Sequence, residues 1–396
     1  MIEARDGRRV VITGVGVLAP CGVGADAFWA GLSKPAQPGT HRNISDFDAA
    51  KWGLKHVEVR RIDRFAQLAI AAAALARDDA GIDEDFPYEP HRCGVMMGTG
   101  IGGAYAWEAN AEVLMTKGDK HVSPLVVPMV MPNAAAANVS MRSGFTGPVE
   151  TITTACAAGT HAVSHGARLV ASGRADVVLA GGSESCQTPI FNNGFMNMKA
   201  LSPSGVSRPF DVARDGFCSA EAAAVLVLEE YEAAKARGAT IYAEIAGTGS
   251  TADAHHITAP APNGAGAIAC MKAALDDAGT SADEVSHVNA HGTSTQLNDA
   301  AEAIAVKDVF GSSRPAVTSI KGVTGHSLGA AGAVEAAAVA LTYRHREIPP
   351  TMHVTELDAD LDIDVVLEPR PWDPGPALSN SFAFGGHNGT LVFRPI

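Results

Sequence analysis

The chain carries little charge for its length, and nowhere concentrates it. Charged residues fill 18% of its 396 positions, and 30 Lys and Arg face 43 Asp and Glu, a formal net charge of −13. An acidic total without a block of like charges argues against nucleic acid as the main partner. Metal-type cysteine spacing is also missing. Cys21, Cys93, Cys156, Cys186, Cys218 and Cys270 stand far apart with no CxxC pair, and read as reduced thiols of a cytoplasmic protein. Met1-Ile2-Glu3-Ala4-Arg5-Asp6 lacks the basic-then-apolar order of a secretory leader. The longest weakly polar stretch, Val323 to Leu341, holds His326 and Glu335, so it suits a packed interior helix and not a bilayer span. Apolar residues, at 46%, supply a large core and exclude a disordered chain.

No Pro/Ser-rich linker or low-complexity tract divides the sequence, and a length of this order fits two domains or one duplicated one. The plan repeats. The β-branched run Arg9–Gly16 has a counterpart in Ile241–Gly249, and the Gly-capped helix Ala73–Gly81 in Ala273–Gly279. Gly94–Gly100 and His287–Thr293 are short apolar strands with polar Gly/Thr ends. Val149–Thr154 leads to Cys156 and a small-residue helix, as Ala316–Ile320 leads to Lys321, His326 and another. Strands alternating with helices predict an α/β fold. The helices Ala157–Ser172 and Leu328–Tyr343 are apolar nearly all round, which predicts two central helices between sheets.

Three segments carry candidate chemistry. In Thr153-Thr154-Ala155-Cys156-Ala157-Ala158-Gly159-Thr160 a strand runs into a cysteine and at once into a helix. The helix amino terminus would favour a thiolate and offer N–H groups to an oxyanion. His291 lies at a strand's carboxyl end, followed by the hydroxyls of Thr293, Ser294 and Thr295. Lys321 and His326 sit on a Gly-flanked loop, and Glu335 is the only acid in the helix beyond it, in need of a cation. One cysteine can hold an acyl group as a thioester while two imidazoles donate to a developing enolate; a hydrolase needs only one histidine. Asn380–Gly389 adds Gly385-Gly386 beside Phe382 and Phe384. Other patterns read as structural: His161 and His165 on the helix after Cys156, the Gly98–Gly103 loop without Lys-Ser/Thr, and the alternating acids Asp358 to Asp364. No redox cofactor or catalytic metal is indicated.

Taken in order, the motifs around Cys156, His291, Lys321/His326 and Phe382–Asn388 resemble those of the β-ketoacyl-acyl-carrier-protein synthases of the elongating Cys-His-His type, including ketosynthases of type II polyketide systems. The likeness runs from Val10 to Gly389 and takes in Arg214-Asp215-Gly216-Phe217 and Leu226–Glu230. It implies a thiolase-like duplicated five-layer α-β-α-β-α fold. Residues 1–240 would form the half with the nucleophile and 241–396 the half with both histidines. It implies an acyltransferase that loads an acyl group on Cys156, decarboxylates a malonyl thioester, and joins the two. Cys156 and Phe384 N–H would form the oxyanion hole, Lys321 and Glu335 would shape the electrostatics, and Phe384 with Ala383 would gate. Thr293, Thr295 and Thr258 would meet the pantetheine arm, and Ile101 and Phe195 the acyl tunnel. Acyl-carrier protein would dock on Arg60, Arg61, Arg64 and Lys199, and the assembly would be a homodimer or a ketosynthase heterodimer. Ala383 stands where the family usually has glycine, alanines replace glycines over Cys218–Ala224, and the stretch from Pro38 to Lys55 is short. These features, with Gln296–Asp299, lean towards polyketide assembly. The competing reading is a non-catalytic chain-length-setting partner subunit, which would lack the nucleophile.

Overall fold

The computed structural model describes residues 7–82 and 87–396; Met1–Asp6, on which the leader argument rests, lie outside the described residues. The first half contributes strands β1 (Val10–Ala19), β2 (Cys93–Gly98), β3 (Val149–Ile152), β4 (Val177–Glu184) and β5 (Ala222–Glu230). Its two chief helices are α1 (Arg64–Asp79) and α2 (Ala158–Ala171). The second half contributes β6 (Ala243–Ala252), β7 (His287–Asn289), β8 (Ala316–Thr318), β9 (Ala377–Ala383) and β10 (His387–Arg394). With them come helices α3 (Ala265–Ala278), α4 (Gln296–Phe310) and α5 (Ala331–His345).

Strand order makes the duplication explicit. The main hydrogen-bonded path runs β8-β7-β9-β10-β6-β1-β5-β4-β2-β3. Outward from the β1/β6 junction, where Val11 faces Glu244 and Ile12 faces Ala243, each half has two antiparallel pairings and then two parallel ones. The three sequence echoes therefore fall on equivalent strands: β1 with β6, β2 with β7, and β3 with β8.

The layers follow from period-two alternation in strands buried on both faces. In β5, Val225 and Val227 join Leu68 and Ala72 of α1 in an outer core, whereas Leu226 and Leu228 point inward to the core of α2 and α5. In β10, Leu391 and Phe393 turn to that same inner core and Val392 to the outer core under α3. The result is five layers, helix-sheet-helix-sheet-helix. Every residue of α5 from Ala331 to Tyr343 is buried, as its all-round apolar composition required. No helix among the described residues is long and apolar enough to cross a membrane.

Small residues set the spacing of the central layer. A Cβ on Gly332 of α5 would lie 2.0 Å from Thr160 Oγ1 and 2.7 Å from Thr160 N in α2. Alanine improves helix propensity over glycine by about 1 kcal/mol, but an obstructing backbone outweighs that gain. Gly332→Ala is expected to destabilise the protein by about 2 kcal/mol, read as a lower denaturant midpoint; an unchanged or raised midpoint would show that the two helices can move apart.

Candidate active site

The carboxyl ends of the parallel strands converge on one place. Cys156 follows β3 in a single 3-10 turn, Ala155–Ala157, that opens into α2. The turn begins with Ala155 at φ 48°, a left-handed backbone that swings the cysteine out of the strand line and into the cavity. His291 lies two residues beyond β7, and Lys321 opens the short helix Lys321–Thr324 beyond β8. His326 sits past that helix, its backbone clasped like an edge strand: His326 N donates to Cys218 O at 2.8 Å, and Ala220 N donates to His326 O at 3.0 Å.

The three predicted reacting side chains come together. His326 Nε2 lies 3.1 Å from Cys156 Sγ, and the His291 and His326 rings meet edge to face at 5.3 Å between centroids. Phe195, Phe217, His326, His291 and Phe382 form one row of edge-to-face rings, with steps of 5.6, 5.1, 5.3 and 6.2 Å. Such contacts fix the planes of both imidazoles. All three reacting groups line a cavity of about 520 Å³ that also takes in Thr258, Thr293, Thr295, Lys199, Phe382, Ala383 and Phe384.

Lys321 is 1% exposed and Glu335 2% exposed, and the two are ion-paired. The ammonium also donates to His291 O at 2.6 Å and to His291 Nδ1 at 3.3 Å, so its three protons are all used. Because Nδ1 of His291 accepts, that ring carries its hydrogen on Nε2, a donor aimed away from the lysine. His326 Nδ1 has no partner among the described residues, so a hydrogen there would be buried without an acceptor; the favoured form is again Nε2–H. Burial, reinforced by the charge of Lys321, holds both imidazoles well below the usual histidine range. They are neutral donors. Burial likewise raises Glu335 to about 7 against the pull of Lys321.

Burial works against the expected thiolate at Cys156. Burial pushes the thiol up to about 12, more than Lys321 and the backbone N–H groups of Phe384 and Cys156 itself bring it down. The helix end is too weak a lever against desolvation of so deeply buried a sulfur. The N–H groups of Phe384 and Cys156 both bear on the sulfur.

The remaining predicted residues divide. Thr293 and Thr295 hydroxyls lie 2.9 Å apart at the cavity wall, and Thr295 Oγ1 also caps α4 by accepting from Asn298 N. Ile101 and Phe195 lie outside the cavity wall but pack against the cluster of Cys156, Cys186 and Leu328. Ala383 has φ −118° and ψ 158°, extended backbone that any residue adopts, so its methyl group is unstrained. Arg60, Arg61 and Lys199 are exposed. Arg64 is not a free docking cation: its guanidinium turns inward to buried Glu221 at 2.6 and 2.7 Å and to Ile44 O at 3.1 Å, where desolvation of the carboxylate demands a partner. His161 is structural, its ring held by Thr154 Oγ1, Asn388 O and Ser250 Oγ.

Sequence reasoning missed Glu302. Its carboxylate accepts from His291 N and Gly292 N, both at 2.8 Å, and ties the histidine turn to α4. The signal was there: Asp299 and Glu302 stand three apart in the first turns of the helix after the histidine, on one face. Gly292, at φ 38°, is obligatory, since a Cβ would meet Ser319 Cβ at 2.5 Å.

Removing one member of a buried ion pair costs about 3–5 kcal/mol, because the other is left uncompensated. Glu335→Gln and Lys321→Met are each expected to destabilise by that order. The double variant should be less destabilised than the sum, by about 1–3 kcal/mol. Additive losses in a denaturation cycle would show that the two do not act as a pair.

Residues 33–234 match the beta-ketoacyl synthase N-terminal domain and residues 242–355 the beta-ketoacyl synthase C-terminal domain. A 3-oxoacyl-[acyl-carrier-protein] synthase 2 from Vibrio harveyi is 42% identical over 413 residues, covering 98% of this chain and 99% of that protein. Among solved structures, the ishigamide ketosynthase/chain length factor superposes with a TM-score of 0.92 at 35% identity, over 98% of this chain and 99% of that one. A type II polyketide synthase ketosynthase, solved with its acyl-carrier protein and bound to the hexaketide, gives 0.88 at 32%, with the same coverage. Fold, the convergence of one thiol with two neutral imidazoles, and these relatives agree: the chain belongs to the β-ketoacyl synthase family.

Proposed function

We propose that this chain is an elongating β-ketoacyl-acyl-carrier-protein synthase, an acyltransferase that condenses an acyl thioester with a malonyl thioester. The observation that carries the reading is the approach of His326 Nε2 to Cys156 Sγ at 3.1 Å with His291 edge-on beside it in one cavity. The nucleophile belongs to the half 1–240 and both histidines to the half 241–396. A subunit that only sets chain length would not need this complete set.

In the first half-reaction the Cys156 sulfur attacks the acyl carbonyl. The N–H groups of Cys156 and Phe384 hold the tetrahedral oxyanion, and the carrier thiol leaves with the proton that Cys156 gave up. A malonyl thioester then loses CO₂, and its carbonyl oxygen becomes an enolate that accepts from Nε2–H of His291 and of His326. The enolate carbon attacks the acyl carbonyl, the new C–C bond forms as the C–S bond breaks, and the departing thiolate takes up one proton from solvent, the proton that decarboxylation and condensation together consume. Neutral imidazoles suit this task, since a donor that keeps its hydrogen stabilises the enolate without quenching it. Lys321 holds His291 in the donor tautomer, and Glu335 balances the lysine. Thr293, Thr295 and Thr258 meet the pantetheine arm; Ile101 and Phe195, packed behind Cys156 and Leu328 outside the open cavity, bound the space into which the acyl chain extends from the sulfur.

Exposed Arg60 and Arg61, with Lys199 on the cavity wall, serve docking of an acidic carrier protein; a net charge of −13 makes such local basic residues necessary. The chain works as a homodimer or a ketosynthase heterodimer in fatty-acid or polyketide elongation, in the cytoplasm. The solved polyketide ketosynthase with its carrier protein supports the carrier as partner.

Intact-mass measurement after incubation with acyl-carrier thioester should show one acyl group on the wild type and none on Cys156→Ala. Acylation of that variant at another residue would overturn the assignment. His291→Ala should retain acylation but lose decarboxylation by about 10²–10³-fold; unimpaired CO₂ release would remove His291 from the enolate site. Ala383→Gly frees the backbone beside Phe384 by about 0.5–1 kcal/mol, and is expected to change turnover or chain-length range. Identical kinetics across several acyl lengths would show that Ala383 has no part in gating.

A further inference from the structure

Glu184, the last residue of β4, is a buried carboxylate that the condensation steps do not use. Oε1 accepts from Thr99 Oγ1 at 3.0 Å and from Ile101 N at 3.3 Å; Oε2 accepts from Gly100 N at 2.5 Å and from Gly329 N at 3.1 Å. Each of these four donors is neutral, and no cation pairs with Glu184 among the described residues. Burial raises Glu184 to about 7 against the pull of these donors; its ionised form is costly without a cation, and it gathers three backbone N–H groups from two segments at one point. The consecutive N–H groups of Gly100 and Ile101 make an anion-binding concavity in the Gly98–Gly103 loop, the glycine-rich loop that showed no nucleotide-binding features.

Convergence leaves no room for side chains. A Cβ on Gly329 would lie 2.2 Å from Gly100 N, and one on Gly182 would lie 2.9 Å from Gly329 O. Two of the gathered segments carry residues that touch the nucleophile's surroundings: Ile101, and Leu328 at φ 45°, both in the cluster with Cys156. Leu328 is also two residues past His326.

We propose that Glu184 is a positioning residue of the acyl pocket: its carboxylate clamps the Ile101 and Leu328 walls against Cys156 and thereby sets which acyl chains reach the sulfur. The inference rests on the condensing-enzyme reading for what fills the pocket, but not for the clamp itself. When ionised, its negative charge also acts on Cys156 and Cys186, raising both thiols, while Lys321 lowers Cys156 and His326 touches the same sulfur. Neutralising Glu184 therefore makes Cys156 easier to deprotonate, whereas loss of the clamp alone would not.

The test uses the full-length protein and Glu184→Gln, which keeps the shape but turns an amide N–H towards N–H donors. Two rates are measured: acylation of Cys156 by acetyl- and by dodecanoyl-carrier protein, and alkylation of Cys156 by iodoacetamide across pH. The ratio of dodecanoyl to acetyl acylation should change by about tenfold, and the alkylation profile should move to lower pH. Thr99→Val, which removes one donor and keeps the charge, should change the acylation ratio less, by about threefold, and leave the alkylation profile in place. If Glu184→Gln fails to fold, the Thr99→Val pair of readings decides. An unaltered acyl ratio in the folded variants, or equal losses for both acyl groups with an unmoved alkylation profile, would overturn the proposal. Failure of the wild type to acylate at Cys156 would instead overturn the condensing-enzyme reading.

Discussion

One ammonium group shut away from water organises this site. Lys321 divides its three protons among Glu335, the carbonyl of His291 and Nδ1 of His291, and each contact decides something different. The carboxylate makes the buried charge tolerable. The carbonyl holds the histidine turn, and the ring nitrogen fixes the tautomer. Without the lysine, His291 could carry its hydrogen on either nitrogen, and the donor that an enolate needs would be one population among two. Low dielectric strengthens all of this, because the same burial that holds the imidazoles neutral magnifies every dipole aimed at a developing charge.

The fold explains how such a group comes to lie beside a thiol carried by the other half of the chain. Duplication places β3 and β8 at equivalent positions in the two halves, each leading towards a helix of the shared central layer. Those helices pack closely because Gly159 and Gly332 expose backbone to each other. The cysteine turn and the lysine loop therefore descend from the same structural position and face one another across the pseudo-symmetry. Glu302 and Glu184 secure the two sides in similar fashion, each with a carboxylate receiving backbone N–H groups from a turn that carries a site residue.

Much of this was legible in the sequence, for identifiable reasons. The paired strand–helix echoes survive because both halves bury both sheet faces, so continuous runs such as Ala222–Leu228 cannot drift without exposing one face. Cys156, His291, Lys321 and His326 stood out because each falls where a strand gives way to a Gly-flanked loop or a small-residue helix, and Glu335 because it is the only acid in such a helix. What did not show was the balance of opposing terms at a single atom. Helix-end geometry predicted a thiolate, but the extent of desolvation depends on layers brought together from remote parts of the chain, and that term prevails at Cys156. Arg64 looked like part of a basic surface because Glu221, which captures it, lies far away in sequence. A carboxylate such as Glu184, held by backbone N–H groups and one threonine hydroxyl, leaves no motif of its own.

The central claim is that His291 and His326 are both neutral rings with hydrogen on Nε2, His291 by command of Lys321. Nitrogen NMR of histidine-labelled protein near neutral pH tests it most directly. The account predicts two buried rings, each with a protonated Nε2 and a bare Nδ1, and no titration as the pH falls through the ordinary histidine range. An imidazolium signature at His291, or a hydrogen on its Nδ1, would contradict it.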